Sequence, residues 1–241
     1  MSSLAALAVT RRWCHRLEQG AGGPCAVCRQ WSAARLCEAC ASRFAAPRPR
    51  CTRCGQALPS AQAQGQSCAA CLRDPPPLSR CSVALDYTSP WDGQLQAFKF
   101  GQRPELARLF APLMQAVVSQ APRPELLLCV PLSSARLRER GYNQSHELAR
   151  RLARSLKLPY APTLLARVRD PAPQSSLDRA HRQGNVRGAF LVEPAQAARL
   201  NGRTVAIVDD VMTTGATLSE LGRVLLRAGA AEVQAWVLMR A

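Results

Sequence analysis

Residues 205–217 read VAIVDDVMTTGAT, an apolar β-branched run that ends in two adjacent acids, Asp209 and Asp210, followed by threonines and a glycine. The run predicts a buried strand over Val205–Val208, and the leucine spacing after it predicts a helix over Leu218–Ala228. In an open parallel sheet, ligands bind where strands end and helices begin. The stretch therefore predicts a ligand-binding loop at the carboxyl edge of such a sheet.

The residue types in this loop suit a phosphorylated sugar. Threonine hydroxyls and free N–H groups at a helix start donate to phosphate, and the helix dipole favours the anion. Thr217 and Glu220 have the spacing of a capping box, which would define that start. The two acids accept hydrogen bonds and suit a sugar cis-diol or a Mg²⁺ shell, and a diol beside a 5′-phosphate describes a phosphoribosyl group. We therefore expect phosphoribosyl pyrophosphate, with Mg²⁺, at Asp209, Asp210, Val211, Met212, Thr213, Thr214, Gly215, Ala216 and Thr217.

Two other interpretations of the acid pair explain less of the sequence. A nucleotide hydrolase also carries acids at a strand end, but the chain has no G-x-x-x-x-G-K-S/T loop. A plain surface turn accounts for neither the two acids together with three threonines nor the helix that follows them.

Strands and helices alternate along the second part of the chain. The expected strands are Ser82–Thr88, Leu126–Val130, Val205–Val208 and Val233–Leu238, and the expected helices are Trp91–Phe100, Glu105–Ser119, Gln144–Leu156 and Leu218–Ala228. This alternation predicts an α/β fold with a mainly parallel sheet and helices on both faces. Because Asp74 and three prolines interrupt the chain, we expect a lead-in at 1–24, a small module at 25–73, a linker at 74–81 and the α/β domain at 82–241.

The small module is defined by its cysteines, eight of which form four Cys-x-x-Cys pairs. Two such pairs supply four thiolates in a tetrahedron, which suits Zn²⁺, and a segment so short and polar would take its folding energy from the metal. The simplest assignment places Cys25, Cys28, Cys37 and Cys40 on one structural Zn²⁺ and Cys51, Cys54, Cys68 and Cys71 on a second. A crossed pairing is also open, and an iron–sulfur cluster is the minor alternative. Cys14, Cys81 and Cys129 lie outside the pattern and are expected to be buried or partly buried thiols.

Charge is the other strong feature of the composition. The net charge is +16, and Lys99 and Lys157 are the only lysines, so arginine supplies the rest of the positive charge. The surplus lies in residues 1–80 and in Arg136–Arg187, a distribution that favours phosphates or nucleic acid, although arginine-rich composition alone also explains the total. Because no apolar run can span a membrane and the N-terminus lacks a secretory pattern, we expect a cytoplasmic protein with no membrane span.

The loop at 209–217 resembles the signature of the type I phosphoribosyltransferases, and the segments around it resemble the ComF family (ComFC/GntX-like). The resemblance rests on the cysteine pairs, Phe98-Lys99-Phe100, Val130-Pro131-Leu132, the segment Arg136–Gln144, and the run from Gln174 through Leu177, Arg182 and Asn185 to Phe190. It implies a double zinc ribbon, a type I phosphoribosyltransferase-like sheet, and a bacterial role in DNA uptake or the use of external DNA. It also implies that the acids meet the ribose hydroxyls and the threonine loop the 5′-phosphate.

In the wider superfamily a flexible loop closes over the site, and the arginine-rich segment Ser133–Gln144 is the candidate for it here. Its expected pyrophosphate or DNA ligands are Arg136, Arg138, Arg140 and Asn143; the alternative is a solvated helix start. Arg179–Arg187 is a second candidate for closing the site.

Three functions remain open on the sequence. The chain is either a transferase acting on an unidentified acceptor, a binding module that senses phosphoribosyl pyrophosphate and holds single-stranded DNA, or a scaffold for the DNA-uptake machinery. Trp13, Trp31 and Tyr142 are the aromatic residues placed to stack on bases. No acceptor-binding hood can be recognised in the sequence.

Overall fold

A four-stranded sheet forms the centre of the protein, for which a computed structural model describes residues 22–59, 65–169 and 186–241. The strands are β1 (Gly23–Pro24), β2 (Trp31–Ser32), β3 (Arg80–Asp86), β4 (Leu126–Cys129), β5 (Leu165–Arg167), β6 (Phe190–Val192), β7 (Thr204–Met212) and β8 (Glu232–Arg240). The central sheet has the order β3-β8-β7-β4, and each neighbouring pair is parallel. The pairs β1–β2 and β5–β6 are short and antiparallel.

Helices cover both faces of this sheet, as the alternation of elements predicts. They are α1 (Glu38–Phe44), α2 (Ala69–Arg73), α3 (Trp91–Phe100), α4 (Ala107–Val118), α5 (Ser134–Arg140), α6 (Gln144–Leu156) and α7 (Ala216–Arg227), with 3₁₀ turns at Pro104–Leu106 and Pro194–Leu200. Helices α3, α4 and α6 share one hydrophobic cluster with one face of the sheet, and α7 shares the other. Alternate strand residues therefore point into different cores, as on any two-sided sheet. None of the described helices is long and apolar enough to cross a membrane.

The predicted elements agree closely with the observed ones in the helices and less closely at β7. The helices Trp91–Phe100 and Gln144–Leu156 have the predicted bounds, and Glu105–Ser119 is largely confirmed, but it begins as a 3₁₀ turn. Strand β7 is longer than the predicted Val205–Val208, because pairing with β8 continues through Asp209, Val211 and Met212. Both acids therefore lie within a strand rather than in the loop after it.

The segment Ser133–Gln144, the candidate for a closing loop, contains a short helix over Ser134–Arg140. This agrees with the alternative of a helix start, and closure over the site stays a prediction. The Ser133 side chain caps this helix by accepting from the N–H of Arg136 at 3.3 Å, and Gly141 ends it in the left-handed conformation at φ 75°.

The cysteine-rich segment has no core of its own and packs against the α/β domain. Leu36 and Cys40 belong to the same hydrophobic cluster as Trp91 and Leu95 of α3. The second pair of cysteine turns lies against β3, where the Cys81 N–H donates to the carbonyl of Thr52 at 2.7 Å.

The expected linker at 74–81 also lies against the domain. Leu78 is buried, and the N–H of Ser79 donates to the carbonyl of Val233 at 2.8 Å. A Cβ at Gly222 of α7 would lie 2.5 Å from the carbonyl oxygen of Pro77, so glycine permits this close approach.

Candidate functional site

The acid pair lies at the carboxyl end of β7 and is buried. Asp209 and Asp210 are each less than a tenth exposed. One carboxylate oxygen of Asp209 accepts from the Ser145 hydroxyl at 3.2 Å and from the N–H of Asp210 at 2.9 Å. Asp210 forms an ion pair with Lys99, whose Nζ lies 3.1 Å from its carboxylate. Residues from α3 and α6 therefore hold the two acids in place.

Burial makes the charge on this pair costly. Burial itself, followed by the neighbouring charge of Asp210, raises the pKa of Asp209 from 3.8 to about 7. The charge of Lys99 and the hydrogen bonds from Asp210 and Ser145 lower it and offset only part of the rise. Because a strongly perturbed pKa in a concave site is typical of function, the pair is better explained by a ligand than by stability.

The loop after β7 leads directly into the start of α7. Thr213 is exposed, and the Thr214 hydroxyl accepts from the N–H of Ala216 at 3.4 Å. Gly215 stands at the N-cap with φ 83°, a conformation that favours glycine.

The predicted capping box is wrong, because an N-cap glycine has no side chain with which to bond the helix start. Glu220 instead accepts from the N–H of Gly188 at 3.0 Å and pairs with Arg223 at 3.3 Å. The glutamate therefore anchors the turn before β6, and the start of α7 is left without a side-chain cap.

A cavity of about 140 Å³ opens beside the acids. Thr217 and Val211 line it on the β7–α7 side, and the segment Val130–Leu132 lines it after β4. Four cationic side chains also line the cavity: Lys99, Arg136, Arg140 and Arg167. Two buried acids and four cations around one cavity favour a ligand that carries both hydroxyl groups and several negative charges.

The eight paired cysteines form two compact groups. Within each group, Cys25, Cys28, Cys37, Cys40 and Cys51, Cys54, Cys68, Cys71, the sulfurs all lie within 4.8 Å of one another. The first two Cys-x-x-Cys pairs therefore form one group and the last two form the other, which is the sequential assignment. Four convergent sulfurs could hold a Zn²⁺ ion.

Backbone N–H groups donate to sulfurs in both cysteine groups, among them those of Cys25 and Cys51. Burial opposes ionisation of Cys25, but N–H groups of Cys37, Val27 and Cys28 lower its pKa to about 6. In the same way, N–H groups led by that of Cys68 outweigh burial and lower the pKa of Cys51 to about 7. A thiolate is the form that binds metal, so these N–H groups favour the ligand state of Cys25 and Cys51.

Comparisons with known proteins agree with this architecture. Residues 143–241 match the Phosphoribosyl transferase domain family. Over 231 residues, the chain is 35% identical to the DNA utilization protein YhgH of Escherichia coli K12, covering 90% of this chain and 97% of that protein. It is 34% identical to Competence protein F of Haemophilus influenzae over 86% of this chain and 90% of that one. It is 30% identical to Competence protein ComFC of Bacillus subtilis, over 70% and 68% respectively.

The chain belongs to the ComF family. Its parallel sheet with helices on both faces is the phosphoribosyltransferase-like fold expected of that family, and the cysteine groups that precede the sheet fit a zinc-ribbon module.

In this ComF protein the arginines of α5 point in more than one direction. Arg136 and Arg140, four residues apart on one helix face, line the cavity, whereas Arg138 is exposed outside its lining. The guanidinium of Arg140 lies 4.9 Å from the ring centre of Phe100 and donates to Gln144 at 3.1 Å.

Asn143 is the remaining candidate ligand of this ComF segment, and its side chain makes hydrogen bonds within the protein. It caps α6 by accepting from the N–H of His146 at 3.3 Å, while its amide donates to the carbonyl of Val130 at 3.0 Å. Because both ends of its side chain are engaged, Asn143 joins the segment after β4 to α6.

Sequence reasoning missed three polar residues of this ComF site: Lys99, Ser145 and Arg167. Only Lys99 had a signal, as one of two lysines in the chain and the centre of a segment that carried the family resemblance. Ser145 and Arg167 reach the acids and the cavity through tertiary packing, which no local pattern reports.

Some candidates of this ComF chain lie outside the described residues. They are Cys14, Trp13 and the positions between 170 and 185, which include most of the second closing segment, Arg179–Arg187. The prediction for the other two unpaired cysteines is confirmed, since Cys81 and Cys129 are both buried.

Proposed function

We propose that this ComF protein binds phosphoribosyl pyrophosphate, with Mg²⁺, in the cavity beside Asp209 and Asp210. The observation that carries the proposal is the joining of two buried acids and four cations around one cavity. A simple polyanion would be repelled by the acids, and a neutral sugar would make no use of the positive charge around the cavity. A ligand that joins a cis-diol to phosphates satisfies both groups.

The arrangement supports a single orientation of this ligand. The ribose hydroxyls would donate to the buried acids, and the 5′-phosphate would accept from the loop Thr213–Thr217 at the start of α7. The pyrophosphate would then face the cavity side of α5, where Arg136 and Arg140 offer planar donors. Mg²⁺ would neutralise part of the pyrophosphate charge.

We further propose a role in DNA uptake or the use of external DNA, with single-stranded DNA and the uptake machinery as partners. The named relatives are a DNA utilization protein and competence proteins. On this chain, Trp31 of the first cysteine group is 80% exposed and has exposed Arg29 and Arg35 near it in sequence. An exposed indole among arginines suits base stacking with phosphate contacts.

A thermal shift experiment tests the phosphoribosyl proposal. Phosphoribosyl pyrophosphate with Mg²⁺ is expected to raise the Tm of the wild-type protein, by roughly 2.7 kcal/mol of stabilisation at a hundredfold excess over Kd. The double variant Asp209→Asn, Asp210→Asn removes the acceptor charge and should lose most of that shift. Asp92→Asn, at the start of α3 and outside the cavity lining, is the matched control. An equal ligand-induced shift in the double variant would place the ligand elsewhere.

A salt titration of DNA binding tests the second proposal. Single-stranded DNA should bind with little sequence preference, and its affinity should fall steeply with salt. Replacing Arg136, Arg138 and Arg140 with alanine should reduce the salt slope by up to about three units if each contacts a phosphate. Arg138→Ala alone should weaken DNA binding and spare phosphoribosyl pyrophosphate, because Arg138 does not line the cavity. Binding that is insensitive to salt, or no binding at low salt, would contradict the DNA role.

Pyrophosphate release separates the binding module from the enzyme. If the chain is a phosphoribosyltransferase, some acceptor should release pyrophosphate from phosphoribosyl pyrophosphate and Mg²⁺, and the double aspartate variant should abolish that release. A pure binding module gives the Tm shift without release for every acceptor in the screen.

A further inference from the structure

Lys99 is the ion-pair partner of the acid pair, and its side chain is only 14% exposed. Its ammonium group lies 3.1 Å from an oxygen of Asp210 and also lines the cavity. An ammonium is a compact charge on a flexible four-carbon stem, so it can exchange one anion for another nearby.

A ligand bound as proposed would change the surroundings of that ammonium. A ribose hydroxyl that donates to Asp210 competes with Lys99 for the same carboxylate oxygens. At the same time, the pyrophosphate on the neighbouring sugar carbon brings several negative charges into the cavity. An exchange of partners therefore keeps Lys99 paired while it frees an acceptor for the sugar.

We propose that Lys99 pairs with Asp210 in the free protein and with the pyrophosphate of bound phosphoribosyl pyrophosphate in the complex. The first cysteine group positions Lys99 through α3. This inference rests on the proposed function, in which it gives a binding role to Lys99 and a positioning role to the first cysteine group.

Helix α3 is held near both ends by hydrogen bonds to neighbouring segments. Near its start, the indole N–H of Trp91 donates to the carbonyl of Phe44 at 2.6 Å, and Gln94 donates to the carbonyl of Ala26 at 2.9 Å. Both carbonyls belong to the segment that carries the first cysteine group, between Cys25 and the end of α1.

The far end of α3 contacts the site itself. The carbonyl of Phe98 accepts from the hydroxyl of Tyr142 and, at 3.3 Å, from the amide of Gln144, which also lines the cavity. Phe98 and Leu95 are buried in the cluster that contains Cys25. A short, anchored helix with Lys99 next to its last anchor transmits the position of the cysteine group to the acid pair.

Calorimetry with two ligands tests the role of Lys99. Phosphoribosyl pyrophosphate and ribose 5-phosphate share the diol and the 5′-phosphate, and only the first has the pyrophosphate. Lys99→Met should weaken phosphoribosyl pyrophosphate binding by about 10–100-fold, as for the loss of one charged hydrogen bond. It should leave ribose 5-phosphate binding unchanged or tighter, which also shows that the site is folded. Lys99→Arg should restore part of the lost affinity.

Each outcome decides the assignment. An equal loss for both ligands would make Lys99 a structural residue of the acid pair, and no loss for either would remove it from the site. If the wild-type protein binds neither ligand, the proposed function itself fails, which is a different result from a failure in the variant alone.

A matched pair of glutamines tests the positioning through α3. Gln94→Ala removes the hydrogen bond to Ala26 and should lower the affinity for phosphoribosyl pyrophosphate more than that for ribose 5-phosphate, with metal content unchanged. Gln96, on the same helix, donates to the hydroxyl of Tyr87 at 2.9 Å and is exposed, so Gln96→Ala should change neither affinity. If the two variants bind both ligands alike, the cysteine group does not position Lys99.

Discussion

Replacing Asp209 with asparagine is expected to stabilise the unliganded protein while it weakens the site. The carboxyl is buried beside Asp210, and its pKa is raised from 3.8 to about 7. A carboxyl with a raised pKa binds more protons in the folded state than in the unfolded state between these two values. Its contribution to stability therefore falls as the pH rises through this window, and it is constant above the folded value.

The size of the effect follows from the shift. Each unit of pKa difference corresponds to about 1.36 kcal/mol, so the full penalty above the folded pKa is on the order of 4 kcal/mol. Between about pH 5 and pH 8 the penalty grows by roughly 2–3 kcal/mol. The asparagine side chain would be neutral throughout. The difference in Tm between Asp209→Asn and wild type should therefore grow by roughly 5–10 °C over that range, in favour of the variant.

Thermal unfolding of both proteins, with metal retained and no ligand, measures this difference. Asp86→Asn is a control of opposite sign, because the pairing of Asp86 with Arg48 and Arg50 outweighs burial and lowers its pKa. Its stabilising contribution is complete above the unfolded value, so that variant should be less stable than wild type by a constant amount over the same range. Tm profiles of Asp209→Asn and wild type that run parallel with pH would refute the reasoning.

Two further predictions concern the metal and the loop. The purified protein should contain close to two Zn²⁺ per chain without iron–sulfur absorption, and Cys25→Ser or Cys68→Ser should each lose one ion and destabilise the cysteine segment; elemental analysis without zinc would contradict this. Gly215→Ala should cost about 1–3 kcal/mol and weaken ligand binding, because φ is 83° and the new Cβ would lie 2.4 Å from Cε of Met212. Gly93→Ala, in the first turn of α3, should instead stabilise the protein, because the new Cβ would meet no atom within 4 Å. Urea titrations measure both effects.

The parts of the fold that local sequence pattern controls were predicted well. Helices such as α3 and α6 followed from apolar periodicity, and the cysteine groups followed from turn spacing. The end of β7 was missed, because its last residues are held as a strand by their pairing with β8. Two adjacent polar residues such as Asp209 and Asp210 do not indicate, from the local sequence, that the chain pairs with a neighbouring strand.

The same distinction explains the errors at the site. Thr217 and Glu220 have the spacing of a capping box, but glycine at the N-cap excludes it and a distant turn at Gly188 takes the glutamate. The contact between Lys99 and Asp210 joins residues more than a hundred positions apart. Only the stacking of α3 on the sheet brings them together, so no spacing rule could have found the pair.

Each cysteine group is connected to the site through one intervening element, which argues for a common role in site geometry. The first holds α3 and, through it, Lys99 beside Asp210. The second is connected through Arg240, which donates to the carbonyls of Cys54 at 3.3 Å and Met212 at 3.1 Å, immediately before the threonine loop. A buried acid pair destabilises the domain that carries it, so the loop needs support that does not come from its own residues. Metal-bound turns in both groups would provide that support, because their binding energy is also folding energy.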